Sequence, residues 1–293
     1  MPPQVTAGLG SLPGCLPAAH WAAGEALLRN LPLRLVHAWI LLAPPAGAIP
    51  PKPERDQNYW ARRIVDDTAT ELCRTHPGLR VGTDLRADET APALLTAAEE
   101  SELLVLGSRG PGTLGGALLG SVGRQVLARA ARPVTLVRDD ARHDGRGSGD
   151  GPADVVVGLA LRRPCEELLE FAFDAAARRG GALRAVHALH RPPLEGRAQR
   201  VLAPSPAGRA REEGEAALDS ALRPWREKFP GVRVVAEVTA EGAARAVVRA
   251  AAGTGLLLLG RHGPEPTAVP HIGPVAHAAL HHAPCPVGVV PYR

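Results

Sequence analysis

The chain is 293 residues long, which suits two domains of average size, each able to bury a core of its own. Hydrophobic residues make up 45% of the chain and aromatic residues only 3%, so the core must be built mainly from Ala, Val and Leu. The formal charge is +4, nearly all of the basic residues are arginine, and no basic stripe is interleaved with aromatic residues, which argues against a DNA- or RNA-binding protein.

Cysteine usage and hydropathy predict a cytoplasmic protein. The four cysteines fall in no paired spacing, which favours a reducing compartment without disulfides; they are Cys15, Cys73, Cys165 and Cys285. No apolar run approaches the roughly 18 residues of a membrane span. The first residues also lack a basic region followed by an apolar core, so neither secretion nor a membrane span is expected.

Strands and helices alternate along the first half. The predicted order is strand 4–8, helix 17–30, strand 32–40, a proline-rich loop at 43–55, helix 58–76, strand 79–85, helix 90–100, strand 102–106, helix 121–131 and strand 133–138. This alternation predicts an α/β fold, with an open parallel five-stranded sheet, right-handed crossovers and helices on both faces.

The second half repeats the first. Three segments recur 150 to 153 residues later: Leu33–Trp39 as Leu183–Leu189, Gly107–Gly110 as Gly260–Gly263, and Pro133–Val134 as Pro286–Val287. Recurrence at nearly one offset indicates a tandem duplication. We therefore predict domains at 1–138 and 154–293, joined by a flexible Asp-, Arg- and Gly-rich linker at 139–153.

The elements of the second half follow the same order. They are predicted as strand 154–159, helix 165–179, strand 182–188, helix 209–229, strand 232–239, helix 241–252, strand 255–259, helix 275–282 and strand 286–290. The second domain is therefore expected to be another open parallel sheet of five strands.

A glycine-bearing stretch between Leu103 and Val122 is the candidate site of the first half. Four aliphatic residues run into Gly107 and Gly110, and nine residues later Gly120 and Ser121 precede a second apolar pattern. This pattern predicts a buried strand that ends in a tight loop, after which Ser121 begins and caps a helix. Free amides at the start of that helix favour an anion, and phosphate is the obvious candidate. Ligands of such sheets bind at this edge, beyond the carboxyl ends of the strands.

The spacing Gly-x2-Gly-x9-Gly-Ser is neither a Walker loop nor the dinucleotide fingerprint. It resembles the nucleotide loop of the universal stress protein family, and the segments 106–110 and 131–137 are similar to that family's closing strand, loop and last strand. The resemblance implies two Rossmann-like domains of the adenine-nucleotide alpha-hydrolase type, with ATP and Mg²⁺ as ligands. It further implies a set of nucleotide-binding residues, which are Val36, Leu106, Gly107, Gly110, Gly120, Ser121 and Val122.

Each half departs from the family pattern in a way that weakens its own loop as a nucleotide site. Members that bind ATP usually end their first strand in Val-Asp-Gly-Ser, whereas this chain has Leu9 in place of the aspartate. One lost charged hydrogen bond costs on the order of 1.5–3 kcal/mol, or roughly ten- to 150-fold in affinity. The second half also lacks the aspartate. It keeps Gly260, Gly263 and Gly273, but Pro274 replaces the serine, so its loop is predicted to be the weaker or empty one.

The histidine and cysteine clusters give weaker evidence of a functional site. His277 and His281 would share a helix face and could hold a transition metal, but this helix-to-strand junction is similar to that of ordinary family members, so no metal site is predicted. Cys285 lies between two prolines before a buried strand and is expected to be an inert core thiol. No spacing supports a catalytic Ser-His-Asp or Cys-His set, so a non-enzymatic protein is favoured over a slow ATPase or kinase.

Two functional interpretations stay open at this stage. The first is a stress-response regulator that binds ATP weakly through its first domain. The second is a degenerate scaffold that binds no nucleotide and acts through protein contacts. In either case the resemblance implies that the two domains pair as an internal pseudo-dimer through strands 133–138 and 286–290, with a further homodimer as a second level of assembly.

Overall fold

A computed structural model describes residues 2–10, 14–39, 57–108, 120–138, 153–163, 165–189, 206–263 and 270–292. The chain divides into two compact units, formed mainly from residues up to 151 and from residue 152 onward. The predicted loop at 43–55, nearly all of the predicted linker at 139–153, and Gly110 lie outside the described residues.

The first unit contains five strands and four helices among the residues described. They are β1 (Val5–Gly8), α1 (Leu16–Arg29), β2 (Leu33–Trp39), α2 (Gln57–Thr75), β3 (Val81–Ala87), α3 (Thr90–Glu99), β4 (Leu103–Gly107), α4 (Ser121–Arg129) and β5 (Val134–Val137). Strand order is β3-β2-β1-β4-β5, and the pairings within this set are parallel. The predicted open parallel sheet is therefore confirmed for this half.

The second unit repeats that arrangement over its described residues. Its elements are β6 (Val155–Leu159), α5 (Glu166–Arg179), β7 (Leu183–Ala188), α6 (Pro206–Lys228), β8 (Val234–Thr239), α7 (Ala243–Ala250), β9 (Leu256–His262), α8 (Pro274–His282) and β10 (Val287–Tyr292). Strand order is β8-β7-β6-β9-β10, again with parallel pairings. The same order in both halves agrees with the tandem repeat seen in the sequence.

One pair of strands is longer than predicted. We expected β9 to end at Leu259 and β10 at Val290, but β9 continues to His262 and β10 to Tyr292. The two strands extend each other, because Arg261 and His262 pair with Pro291 and Tyr292. Residues with low β-propensity, such as Arg261 and Pro291, can continue a strand where a neighbouring strand supplies hydrogen bonds, and the propensity of one segment alone does not show this.

Small and aliphatic side chains fill the core of each unit, as the composition predicts. Along β4 the four residues before Gly107 are all buried, as are the corresponding four residues of β9. Helices α1 and α5 pack alanine-rich faces on the sheet, and Phe173 is the one fully buried aromatic side chain among the described residues. Continuous apolar strands of this kind are typical of a parallel sheet covered on both faces.

Candidate functional site

The carboxyl ends of β1, β2 and β4 meet at one edge of the first unit. Gly8 at the end of β1 pairs with Val36 of β2 on one side and with Leu106 of β4 on the other. Beyond this row, the amide of Leu9 donates to the carbonyl oxygen of Val36 at 2.8 Å. This is the switch point of strand order, where ligands of open α/β sheets bind.

Helix α4 begins at this edge, and its cap differs from the prediction. The N-cap residue is Gly120, with φ −61° and ψ 159°, and no side chain caps the helix. Ser121 is the first helical residue and is exposed, so the expectation that its hydroxyl caps the first turn is wrong. The first bond within the helix runs from the amide of Arg124 to the carbonyl of Gly120. The amides of residues 121 to 123 therefore have no partner inside the helix, as at every helix start.

Gly107 sits at the surface directly beneath the start of α1. Although the residue is exposed, a Cβ atom added to it would lie 3.4 Å from the carbonyl oxygen of Gly14 and 3.5 Å from the Cβ of Ala18. The backbone of β4 thus approaches the start of α1 closely at the edge where Gly120 also lies. Next to it, the Ser108 Oγ is buried without a hydrogen-bond partner among the described residues.

The end of β1 has no carboxylate, and apolar groups fill the space around it. A Cβ atom on Gly8 would lie 2.7 Å from Leu106 Cδ2 and 2.8 Å from Leu94 Cδ2. Leu9, which occupies the position of the missing aspartate, is 6% exposed and packs as a core residue. An acceptor for a nucleoside hydroxyl is therefore absent from this side chain.

Val36 is fully buried at 0% exposure, in the same row as Gly8 at the end of β1. The residue that follows it, His37, bonds through Nδ1 to the carbonyl oxygen of Leu9 at 2.9 Å. In the sequence this histidine stands out only as part of the repeated segment Leu33–Trp39, and its place at this edge was not predicted. The signal was available, because the Val-His-Ala triplet recurs in β7, where His187 makes the same bond to Leu159 at 2.8 Å.

The corresponding edge of the second unit is more fully occupied. A Cβ atom on Gly260 would lie 2.5 Å from the ring of Tyr292. The amide of Gly263 donates to the carbonyl of Tyr292 at 2.9 Å. The ring of His262 makes two contacts at this edge. Its Nδ1 is 2.9 Å from the carbonyl oxygen of Gly263, and its Nε2 is 2.8 Å from Nη1 of Arg163. The amide of Gly263, which could otherwise donate to a phosphate, is here used within the protein.

Helix α8 begins with the same geometry as α4. Its N-cap Gly273 has φ −61° and ψ 158°, and Pro274 is the first helical residue. Proline suits this position because its ring fixes φ near the helical value. Since proline has no N–H, α8 offers one amide fewer than α4 at the same place.

His277 and His281 lie side by side on α8, as their spacing predicts, but no third ligand joins them among the described residues. The His277 and His281 rings lie 4.6 Å apart between centroids. Over the described parts of the chain, no group of three or more His, Cys, Asp or Glu side chains is placed to hold a metal ion. Cys285 is 4% exposed, as expected for a core thiol, and burial raises its pKa to about 11. Nor is any described helix both long and apolar enough to span a membrane.

Comparison with known proteins identifies relatives for both halves. Residues 3–138 and 153–291 each match the model of the Universal stress protein family. A universal stress protein of Mycobacterium tuberculosis is 32% identical over 285 residues, covering 92% of this chain and 90% of the relative. One from Mycolicibacterium smegmatis is 32% identical over 286 residues, covering 93% and 92%. The crystal structure of a universal stress protein from Archaeoglobus fulgidus shares the fold, with a TM-score of 0.62 at 15% identity and 99% coverage of both chains.

Proposed function

The chain belongs to the universal stress protein family, and we propose that it is a non-enzymatic stress-response regulator whose first half binds ATP weakly. The start of α4 carries this proposal. Because Gly120 is the N-cap residue, no side chain caps the start of α4. Ser121 is exposed there, beside backbone amides that have no partner in the helix. These groups can donate to a terminal phosphate. We expect the corresponding site of the second half to bind phosphate more weakly. Pro274 has no N–H there, and the amide of Gly263 donates to the carbonyl oxygen of Tyr292.

Isothermal titration of the full chain with ATP and Mg²⁺ at millimolar ligand tests the proposal. We expect a single weak site, whose affinity falls on the order of tenfold in Ser121→Ala through loss of one charged hydrogen bond. Gly120→Val should also reduce binding, because a branched side chain at the cap crowds the approach of the phosphate. The matched change Gly273→Val in the second half should leave binding unaltered. Absence of heat and of any thermal shift at millimolar ATP would end the proposal.

The alternative is a scaffold that binds no nucleotide and acts through protein contacts. It is favoured by the buried Leu9 and Leu159 at the ends of β1 and β6, where each half lacks an acidic side chain. A nucleotide that copurifies with the protein would dispose of this alternative. Any phosphate release that survives both Ser121→Ala and Gly120→Val would be attributed to a contaminant, which tests the non-enzymatic part of the proposal.

The proposal also covers organisation and location. We propose domains at 1–138 and 154–293 that pair as a pseudo-dimer through their last strands. We further propose a homodimer of the whole chain and a cytoplasmic location. Limited proteolysis should cut first between residues 138 and 154. Light scattering of the full chain would then give the number of copies in solution.

A further inference from the structure

Two histidines of the first unit face each other between α1 and α2. His20 lies on α1, and His76 follows directly after α2. The Nδ1 of His20 is 3.2 Å from the Nε2 of His76, and the ring centroids are 5.4 Å apart at an interplanar angle of 48°. His76 is only 6% exposed and His20 is half-buried. At neutral pH one ring donates its N–H to the bare nitrogen of the other.

Burial opposes a charge on either ring. Desolvation is the largest cause that lowers the pKa of His20, where Glu71 raises it and Arg74 lowers it. Desolvation also lowers the pKa of His76, and the charge of His20 adds to this effect. Over the described residues, Glu71 and Arg74 of α2 are the charged side chains that shift the pKa of His20, and they bond to each other at 2.8 Å. At the start of α1, the pKa of the Cys15 thiol is raised by burial, so that group is neutral in the same range.

We propose that this pair is an acid-sensitive contact that holds α1 against α2 at neutral pH and loosens it at acidic pH. The first proton makes one ring an imidazolium, which can still donate to the other ring but places a charge in a poorly hydrated site. The second proton removes the remaining acceptor, so the bond is lost and two like charges face each other. Because both pKa values are lower in the folded state, the unfolded chain binds more protons below about pH 6.5, and stability falls as pH falls.

The second unit provides an internal control at the same place. By the repeat offsets, Glu170 stands where His20 stands and Phe229 where His76 stands. There the helices pack through aromatic rings, with Phe173 and Phe229 at 5.7 Å between centroids, and Lys228 bonds Glu170 at 2.6 Å. This packing has no histidine pair to titrate between pH 7.5 and 5.5, so α5 and α6 should stay in place over that range.

The contact bears on the candidate site through α1. Gly14 and Ala18, at the start of α1, are the groups nearest to a Cβ atom added at Gly107, the exposed last residue of β4. A helix α1 released from α2 would lose its close approach to that strand end. The proposal does not depend on nucleotide binding, because its first effect is on the packing of α1 and α2 in the free protein.

Hydrogen–deuterium exchange of the full chain at pH 7.5 and 5.5, corrected for intrinsic exchange rates, tests the proposal without any ligand. We expect α1, α2 and the end of β4 to lose protection at least several-fold at pH 5.5, whereas α5 and α6 keep theirs. In His20→Gln/His76→Gln the loss should disappear, because glutamine can hydrogen-bond but does not titrate. His282→Gln, at an exposed histidine on α8, should behave like the parent chain.

An equal loss of protection in both halves, or a loss that persists in the double variant, would overturn the proposal. If the double variant fails to fold, NMR titration of the two imidazoles in the parent chain decides the question. Values of the pKa below 6.5 for both rings would support the contact. Values at or above 6.5 would refute it.

Discussion

The imidazole of His37 lies 2.9 Å from the carbonyl oxygen of Leu9, measured from its Nδ1. A carbonyl oxygen can only accept, so Nδ1 carries the proton and the tautomer is fixed. This bond ties the end of β2 to the first residue after β1, at the edge where α4 begins. His187 and Leu159 repeat it at 2.8 Å in the second unit, so the edge is built the same way in both halves.

Removal of the His37 bond should weaken this edge of the first half. In His37→Phe the carbonyl of Leu9 loses its partner in a half-buried place, which costs about 1 kcal/mol. Native-state hydrogen exchange should show faster opening of residues 33–39 with residues 183–188 unchanged. His187→Phe should give the reverse pattern. Equal effects of either variant on both segments would contradict the assignment of one bond to each half.

Glycine at Gly8, the last residue of β1, and at Gly158, one residue before the end of β6, is required by neighbouring side chains. In Gly8→Ala the new methyl group would meet two leucine Cδ atoms at 2.7 and 2.8 Å, and in Gly158→Ala it would meet Leu259 Cδ2 at 2.6 Å and Val247 Cγ1 at 2.9 Å. Leucine ends can rotate away, whereas valine is stiff at χ1. We expect both changes to destabilise by about 1–3 kcal/mol, with Gly158→Ala the more costly.

Thermal unfolding by calorimetry measures these losses, and Gly10→Ala is the matched control. Gly10 follows the same strand, but among the described residues other than its chain neighbours no atom lies within 4 Å of its added Cβ. Its substitution should shift the melting temperature little. A loss in Gly10→Ala as large as in Gly8→Ala would show that the effect comes from the backbone rather than from the leucines.

The fold was predictable because its signal is repeated along the chain. Aliphatic runs such as Leu103–Leu106 indicate buried parallel strands. A matching run occurs at Leu256–Leu259 in the second half, so the same pattern predicts the same strand twice. The cap of α4 was not predictable in the same way: both Gly120 and Ser121 are acceptable cap residues, and only the backbone angles decide between them. The filling of Gly260 by Tyr292 depends on a contact between strands, which no local pattern records.

Thiol reactivity should follow burial. Cys15, Cys165 and Cys285 are buried, and Cys73 is exposed. Burial raises the pKa of all three buried thiols, that of Cys285 to about 11, so they stay protonated at neutral pH. A disulfide reagent at pH 8 should therefore modify one cysteine quickly in the native chain and all four in denaturant.

Cys73→Ser should abolish that rapid reaction.

Because the folded state keeps the buried thiols protonated while the unfolded chain loses their protons near pH 9, stability should also decline as pH rises through 9. Two or more rapidly reacting thiols in the native parent chain would contradict the burial of the three core cysteines.

The two helix starts allow phosphate binding to be separated from folding. Gly120 and Gly273 have the same φ, −61°, and ψ values of 159° and 158°, yet a serine follows one and a proline the other. Extended backbone of this kind is what a residue before proline adopts. Ser121→Pro should therefore fold as α8 does, with a melting temperature close to that of the parent chain. It removes one amide and one hydroxyl from the proposed site, so ATP affinity should fall on the order of tenfold or more. Titration with ATP and Mg²⁺ measures the change, and unaltered affinity in a folded Ser121→Pro chain would place any bound nucleotide away from α4.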